Sequence, residues 1–139
     1  MPIQGRAPGY IAAVKVGFIG LGNVGAKLAG SLLRNGIELV VRDLDETAAA
    51  PLVEAGASFG ASPAAMTEQC DMMITCLPSP AISDAVVTGN DGILAALRPG
   101  QIWAEMSTTD EAEVRRLGAM VERKSTRLNS SHSSVSRMP

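Results

Sequence analysis

The stretch Val14-Lys15-Val16-Gly17-Phe18-Ile19-Gly20-Leu21-Gly22-Asn23-Val24-Gly25 decides the fold of this chain. Residues 14–19 form a short, largely apolar and β-branched run, the pattern of a buried strand. Three glycines follow in the spacing Gly20-x-Gly22-x-x-Gly25, and a helical period then takes over. Val24, Leu28 and Leu32 recur at i, i+4 and i+8, one face of a helix over residues 23–35 that Gly36 ends as its C′ residue. In such a turn Gly20 permits the tight bend, Gly22 lets the backbone approach an anionic group, and Gly25 lets the helix lie close to the strand. A chain holding 14 glycines can also produce this spacing in an ordinary glycine-rich turn, so its neighbours must decide.

The alternation continues to about residue 122. Residues 37–42 read as a second strand. Asp45 can cap a helix that runs to about residue 55 and stops at Gly56, and residues 57–59 give a third strand. Ser62-Pro63 is an N-cap followed by proline at the first helical position, and Ser79-Pro80 repeats it. Between them residues 71–77 read as the fourth strand. The helix begun at Ser79-Pro80 runs to about residue 87, and a short one over 91–97 is stopped by Pro99-Gly100. Residues 101–106 give the fifth strand and 110–122 a helix with Val114, Leu117 and Val121 on one side. Strands separated by helices pair in parallel, because the return needs a crossover, and right-handed crossovers give an open sheet. The expected fold is a Rossmann-like doubly wound α/β sheet, strand order 3-2-1-4-5, incomplete at its C-terminal end.

Composition narrows the function. The chain has 139 residues, 46% of them hydrophobic and 3% aromatic, so its core rests on aliphatic side chains and methionine. A net charge of −2 and the lack of a basic block in the first hundred residues argue against nucleic-acid binding. Cys70 and Cys76 are too few for a disulfide framework or a four-cysteine metal site, and Cys76, in an apolar run, reads as a core residue. No apolar stretch approaches the roughly 20 residues of a membrane span, and Pro2, Gly5, Pro8 and Gly9 interrupt any signal-peptide core. The expectation is a cytoplasmic protein without a membrane partner.

Context raises the glycine motif. A strand precedes it, a helix follows, and Asp43 ends the next strand about 20 residues on, the arrangement of a dinucleotide fingerprint. A pyrophosphate then rests on helix N-terminal N–H groups at the positive end of the macrodipole. Asp43 is placed to accept from ribose hydroxyls, its alternative being a surface turn residue or a helix cap beside Asp45. Flavin-binding folds share these features, so the motif alone leaves FAD open. Leu77-Pro78 after the fourth strand and Ser107-Thr108 after the fifth fall on the same carboxyl edge, where such sheets bind ligands. The candidate cofactor-binding set is Gly20, Leu21, Gly22, Asn23, Val24, Gly25, Asp43, Leu77, Pro78, Ser107 and Thr108. Ser79 and the Thr108/Glu111 pair are also explained by helix capping. NAD is expected over NADP, because Asp43 repels a 2′-phosphate and strand alternation turns Arg42 away from the face Asp43 uses.

The two ends read differently. Residues 123–139 hold six serines and four basic residues, and neither an acid nor a periodic pattern. One reading is a solvated basic tail. The other, which the sequence favours, is translated sequencing adapter, since Arg123-Lys124-Ser125-Thr126-Arg127-Leu128-Asn129-Ser130-Ser131-His132 resembles one; on that reading it stands outside the fold. The expected division is then an extension over 1–13, native or not, a dinucleotide-binding domain over 14–122 and an unstructured tail over 123–139. Excluding the tail leaves a net charge of −6 and removes the one histidine, His132.

Together these segments resemble the N-terminal domain of the β-hydroxyacid dehydrogenases, a group that includes 3-hydroxyisobutyrate dehydrogenase and tartronate semialdehyde reductase and is related to 6-phosphogluconate dehydrogenase. The resemblance covers about residues 14–122 and rests on Gly17 to Gly25, Leu77-Pro78, Asp91 to Leu94, Leu97 to Gly100, and Glu105-Met106-Ser107-Thr108. Val24 stands where methionine is usual and Glu105 where aspartate is common. The resemblance implies NAD(P) contacts from the glycine loop, Leu77, Pro78 and Thr108. It also implies reversible hydride transfer between a small hydroxy acid and nicotinamide, in a full-length homo-oligomer. The family's substrate loop and catalytic lysine are expected beyond Glu122 and its helical domain is not represented, so no catalytic residue is assigned and this chain alone is expected to be inactive. Alternatives are an imine reductase of the same architecture, or a non-catalytic dinucleotide-binding sensor or scaffold.

Overall fold

The computed structural model describes residues 14–106 and 111–125. The elements follow the order β1 (Lys15–Ile19), α1 (Asn23–Arg34), β2 (Glu38–Arg42), α2 (Glu46–Glu54), β3 (Ser58–Phe59), α3 (Pro63–Gln69), β4 (Met72–Thr75), α4 (Pro80–Thr88), α5 (Ile93–Ala96), β5 (Ile102–Glu105) and α6 (Glu111–Ser125). All strand pairs are parallel, in the order β3-β2-β1-β4-β5 that the alternation predicts.

Both faces of the sheet are covered, which is why its central strands are apolar at consecutive positions. Val16, Phe18, Leu39 and Val41 point to one side, where Ala29 of α1 and Ala49 and Leu52 of α2 pack on them. Ile19, Val40, Met73 and Trp103 point to the other, against Met66 of α3, Val87 of α4, Ile93 of α5, and Leu117 and Val121 of α6. Burial of Val114, Leu117 and Val121 bears out the stripe predicted for the last helix.

The local stop and start signals behave as expected. Asp45 accepts from Thr47 N at 3.0 Å, Ser62 Oγ from Ala65 N at 3.0 Å, and Ser79 Oγ from Ile82 N at 3.2 Å. The face of α1 does so only in part, since Leu28 and Leu32 pack against the core and Val24 does not. Gly25 and Ala29 are its buried residues, Leu28 and Leu32 are half-buried, and Val24 is 62% exposed. The helix lies so close to β1 that small residues take the contact line and larger ones wedge at its flanks. Among the described residues no helix is long and apolar enough to cross a membrane, and no group of three His, Cys, Asp or Glu residues could hold a metal.

Candidate functional site

The carboxyl ends of β1, β2 and β4 open into a cleft of about 830 Å³. Gly20 sits at its floor with φ +105°, a left-handed backbone that other residues rarely adopt, and a Cβ there would meet Cys76 O at 2.1 Å. The bend is held by Gly20 N donating to Arg42 O at 3.0 Å and Cys76 N donating to Ile19 O at 2.9 Å. Gly25 is required for a different reason. A Cβ on it would lie 2.0 Å from Gly20 O, so the start of α1 rests directly on the turn. Gly22 faces open space, with nothing within 4 Å of an added Cβ.

The head of α1 differs from those of its neighbours. Helices α2, α3 and α4 each carry a side-chain cap, whereas α1 starts at Gly22 without one and has no acidic residue in its first turn. No capping side chain therefore answers the N–H groups of Asn23, Val24 and Gly25, and no acid of the first turn offsets the helix dipole. The first intrahelical bond, Ala26 N to Gly22 O at 2.8 Å, fixes the direction of that turn. The donor set and the open side of Gly22 fit a diphosphate lying across the loop.

Asp43 stands beside this loop, half-buried. Its Oδ2 accepts from Leu21 N at 2.7 Å and its Oδ1 from Asp45 N at 2.9 Å. An ionised carboxylate offers about four acceptor positions, so two remain for hydroxyl donors while the acid ties the glycine loop to the end of β2. Arg42, at the end of β2, also lines this cleft. Its guanidinium is nevertheless occupied on the β3 side, where Nη1 donates to Gly60 O at 2.8 Å and Cζ lies 5.7 Å from the centre of the Phe59 ring. Leu44 projects at the mouth, 88% exposed.

The opposite wall comes from the segment after β4. Leu77 is buried and Pro78 exposed, and both line the cleft. Cys76 lines it too; it is half-buried and packs against the core, while Cys70 is the fully buried cysteine. Burial, and secondarily the nearby Glu105 carboxylate, push the Cys76 thiol up. The turn-facing members of the predicted set thus come together around one cleft; Asn23 is exposed at the head of α1. Ser107 and Thr108 lie outside the described residues. Sequence reasoning missed Ala81, Ile82, Ala85 and Val86 of α4 and the Gly89-Asn90-Asp91 turn, which complete the wall. Their i, i+4 spacing is a signal, but an apolar helix face reads equally well as core.

Lys15 stands at the opposite edge of the sheet, its Nζ donating to Gln69 Oε1 at 2.9 Å and lying 3.6 Å from Glu38. Lys27 lines a separate groove between α1 and α2.

The parallel sheet, the glycine turn and the acid at the end of β2 define a dinucleotide-binding domain, and the family match narrows it to the NAD(P) class. The chain belongs to the family described as the NAD binding domain of 6-phosphogluconate dehydrogenase, which it matches over residues 15–130. It is similar to mitochondrial 3-hydroxyisobutyrate dehydrogenase of Rattus norvegicus, 37% identical over 108 residues, 78% of this chain and 32% of the relative. The chain therefore spans about a third of the length of that relative. Among solved structures it is similar to the Mycobacterium tuberculosis 3-hydroxyisobutyrate dehydrogenase with L-serine, at TM-score 0.75 and 27% identity, covering 82% of this chain and 38% of that one. It is also similar to a reductive aminase from Aspergillus terreus in complex with NADPH, at TM-score 0.67 and 26% identity, covering 81% of this chain and 38% of that one.

Proposed function

We propose that this chain is the cofactor-holding domain of an oxidoreductase that transfers hydride between a small hydroxy acid and a nicotinamide cofactor. The observation that carries the reading is the uncapped, glycine-floored head of α1 beside Asp43, on the carboxyl edge of a sheet whose family binds NAD. In this proposal the N–H groups of Asn23, Val24 and Gly25 hold the diphosphate, and Gly22 gives it room. Asp43 takes ribose hydroxyls, while Leu77, Pro78 and the α4 face exclude water. When bound, the nicotinamide supplies hydride transfer. The 3-hydroxyisobutyrate dehydrogenases among its relatives support a hydroxy acid as substrate.

NAD is proposed over NADP. Asp43 presents negative charge where a 2′-phosphate would stand, Leu44 brings no cation, and Arg42 is already engaged by Gly60 and Phe59. The reductive aminase neighbour favours a second reading, reduction of an imine on the same scaffold.

Proton transfer to or from the substrate oxygen needs a group near the carboxyl edge, and Lys15 and Lys27 are both placed elsewhere. The expected outcome is that the 139-residue chain binds NADH in calorimetry but forms none from NAD and 3-hydroxyisobutyrate, glycerate or serine. The complete reading frame carrying it should turn over one of these hydroxy acids. Imine reduction without any hydroxy-acid oxidation by the complete protein would establish the second reading, and turnover by the short chain would relocate the chemistry.

A further inference from the structure

Parallel pairing sets Thr75 of β4 opposite Glu105 of β5, with Met73 opposite Trp103 two residues earlier. Alternation turns all four side chains to the same face, against α4. Glu105 is only 2% exposed, beside the apolar cluster that holds Met73, Val87 and Trp103. A carboxylate so placed is costly unless donors answer its oxygens. Thr75 Oγ1 donates to Glu105 Oε1, Ser83 Oγ donates to Oε2 at 3.2 Å, and Trp103 Nε1 donates to Thr75 Oγ1 at 2.9 Å. Thr75, Ser83 and Trp103 are each at most 1% exposed.

Ser83 gives this network its reach. It lies on α4 one turn before Val87, on the buried side, while Ala81 and Ala85 of the same helix line the cofactor cleft. Whatever grips Ser83 sets how far the α4 wall stands from the glycine loop. Thr75 in turn immediately precedes Cys76, whose carbonyl packs on Gly20. A serine in a helix interior and a buried carboxylate each oppose stability on their own, so stability alone does not account for the pair.

We infer that Glu105 is a positioning residue of the dinucleotide cleft: its two oxygens tie the end of β4 to α4 and so fix the width between the glycine loop and the α4 wall. The inference rests on the assignment of this cleft to the cofactor. Side-chain length is decisive. Aspartate is one methylene, about 1.5 Å, shorter, and cannot hold Thr75 and Ser83 together. Glutamine keeps the length: its oxygen accepts from Thr75, and its amide donates to Ser83 once that hydroxyl turns.

The test is calorimetric titration of the full 139-residue chain with ADP-ribose, at a temperature where circular dichroism shows every variant folded. Ser83→Ala and Glu105→Asp should each weaken binding about three- to tenfold, and the double variant should be no weaker than the worse single one, because both break the same tie. Glu105→Gln should bind within about twofold of the parent. Lowered thermal midpoints with unchanged ADP-ribose affinity would overturn the inference, as would multiplying effects in the double variant or a Glu105→Gln as weak as Glu105→Asp. Absence of saturable binding by the parent chain would overturn the cleft assignment and the inference with it, whereas parental binding with indifferent variants would overturn the inference alone. Should Glu105→Asp fail to fold, Ser83→Ala decides, since alanine suits a helix interior.

Discussion

Gly22 and Gly25 stand three residues apart at the head of α1, yet a methyl group on each would meet opposite surroundings. At Gly25 the new Cβ would lie 2.0 Å from Gly20 O, where ordinary contact begins at 3.4 Å. Both partners are backbone, so no side chain can swing away and α1 must lift from the turn by about 1 Å or more. Overpacking of this kind costs about 3 kcal/mol, the upper end of the usual range. For a domain of this size that lowers the thermal midpoint by roughly 10–20 °C. At Gly22 nothing lies within 4 Å and φ is −72°, a backbone any residue adopts. The small loss of an N-cap glycine and the gain from a stiffer unfolded chain nearly cancel, leaving stability within about 1 kcal/mol of the parent. The same methyl, however, fills the space over the first-turn N–H groups. Losing one charge-assisted hydrogen bond to a diphosphate costs about 1.5–3 kcal/mol, or roughly ten- to hundredfold in Kd. Urea denaturation and NADH titration of the two variants separate the effects. Gly22→Ala should fold normally and bind weakly, whereas Gly25→Ala should be destabilised outright. A Gly22→Ala variant that binds like the parent would show that no diphosphate lies against this loop.

Asp43→Ser should weaken NADH binding about tenfold, because Leu21 N and the ribose both lose a carboxylate, and should shift the NADPH-to-NADH affinity ratio toward NADPH; an unchanged ratio in titrations of both would take Asp43 away from the ribose. Burial pushes the Cys70 thiol up to about 11 from 9.0. The unfolded chain therefore loses that proton first, so the contribution is intact below about pH 9 and is lost as pH rises toward about 11. Urea midpoints across that window should fall in the parent and flatten in Cys70→Val, and equal slopes would exclude Cys70 as the source. Ending the chain after Ser125 should leave the denaturation midpoint unchanged, because residues 126–139 carry as large apolar side chains only Leu128, Val135 and Met138; a clear loss of stability would place that segment in the fold.

What the sequence determined by itself is whatever depends on neighbours a few residues apart. The alternation of apolar runs and helical periods gave a parallel sheet in the observed order. Asp45, Ser62 and Ser79 announced their helices because a cap acts over two or three residues. The glycine spacing located the turn at the cleft floor because the whole motif lies within six consecutive residues. Tertiary structure decided whatever spans elements. The Asp43 tie to Leu21 crosses 22 residues, and the Glu105 ties to Ser83 and Thr75 cross 22 and 30. These exist only once strand register has set Thr75 opposite Glu105 and α4 above both. The side of α1 that faces the sheet was settled in the same way, by an approach to the turn so close that a Cβ on residue 25 would lie 2.0 Å from Gly20 O. Periodicity records which residues share a face, whereas the distance between packed elements, here set by Gly25 and Glu105, is fixed only when all of them are in place.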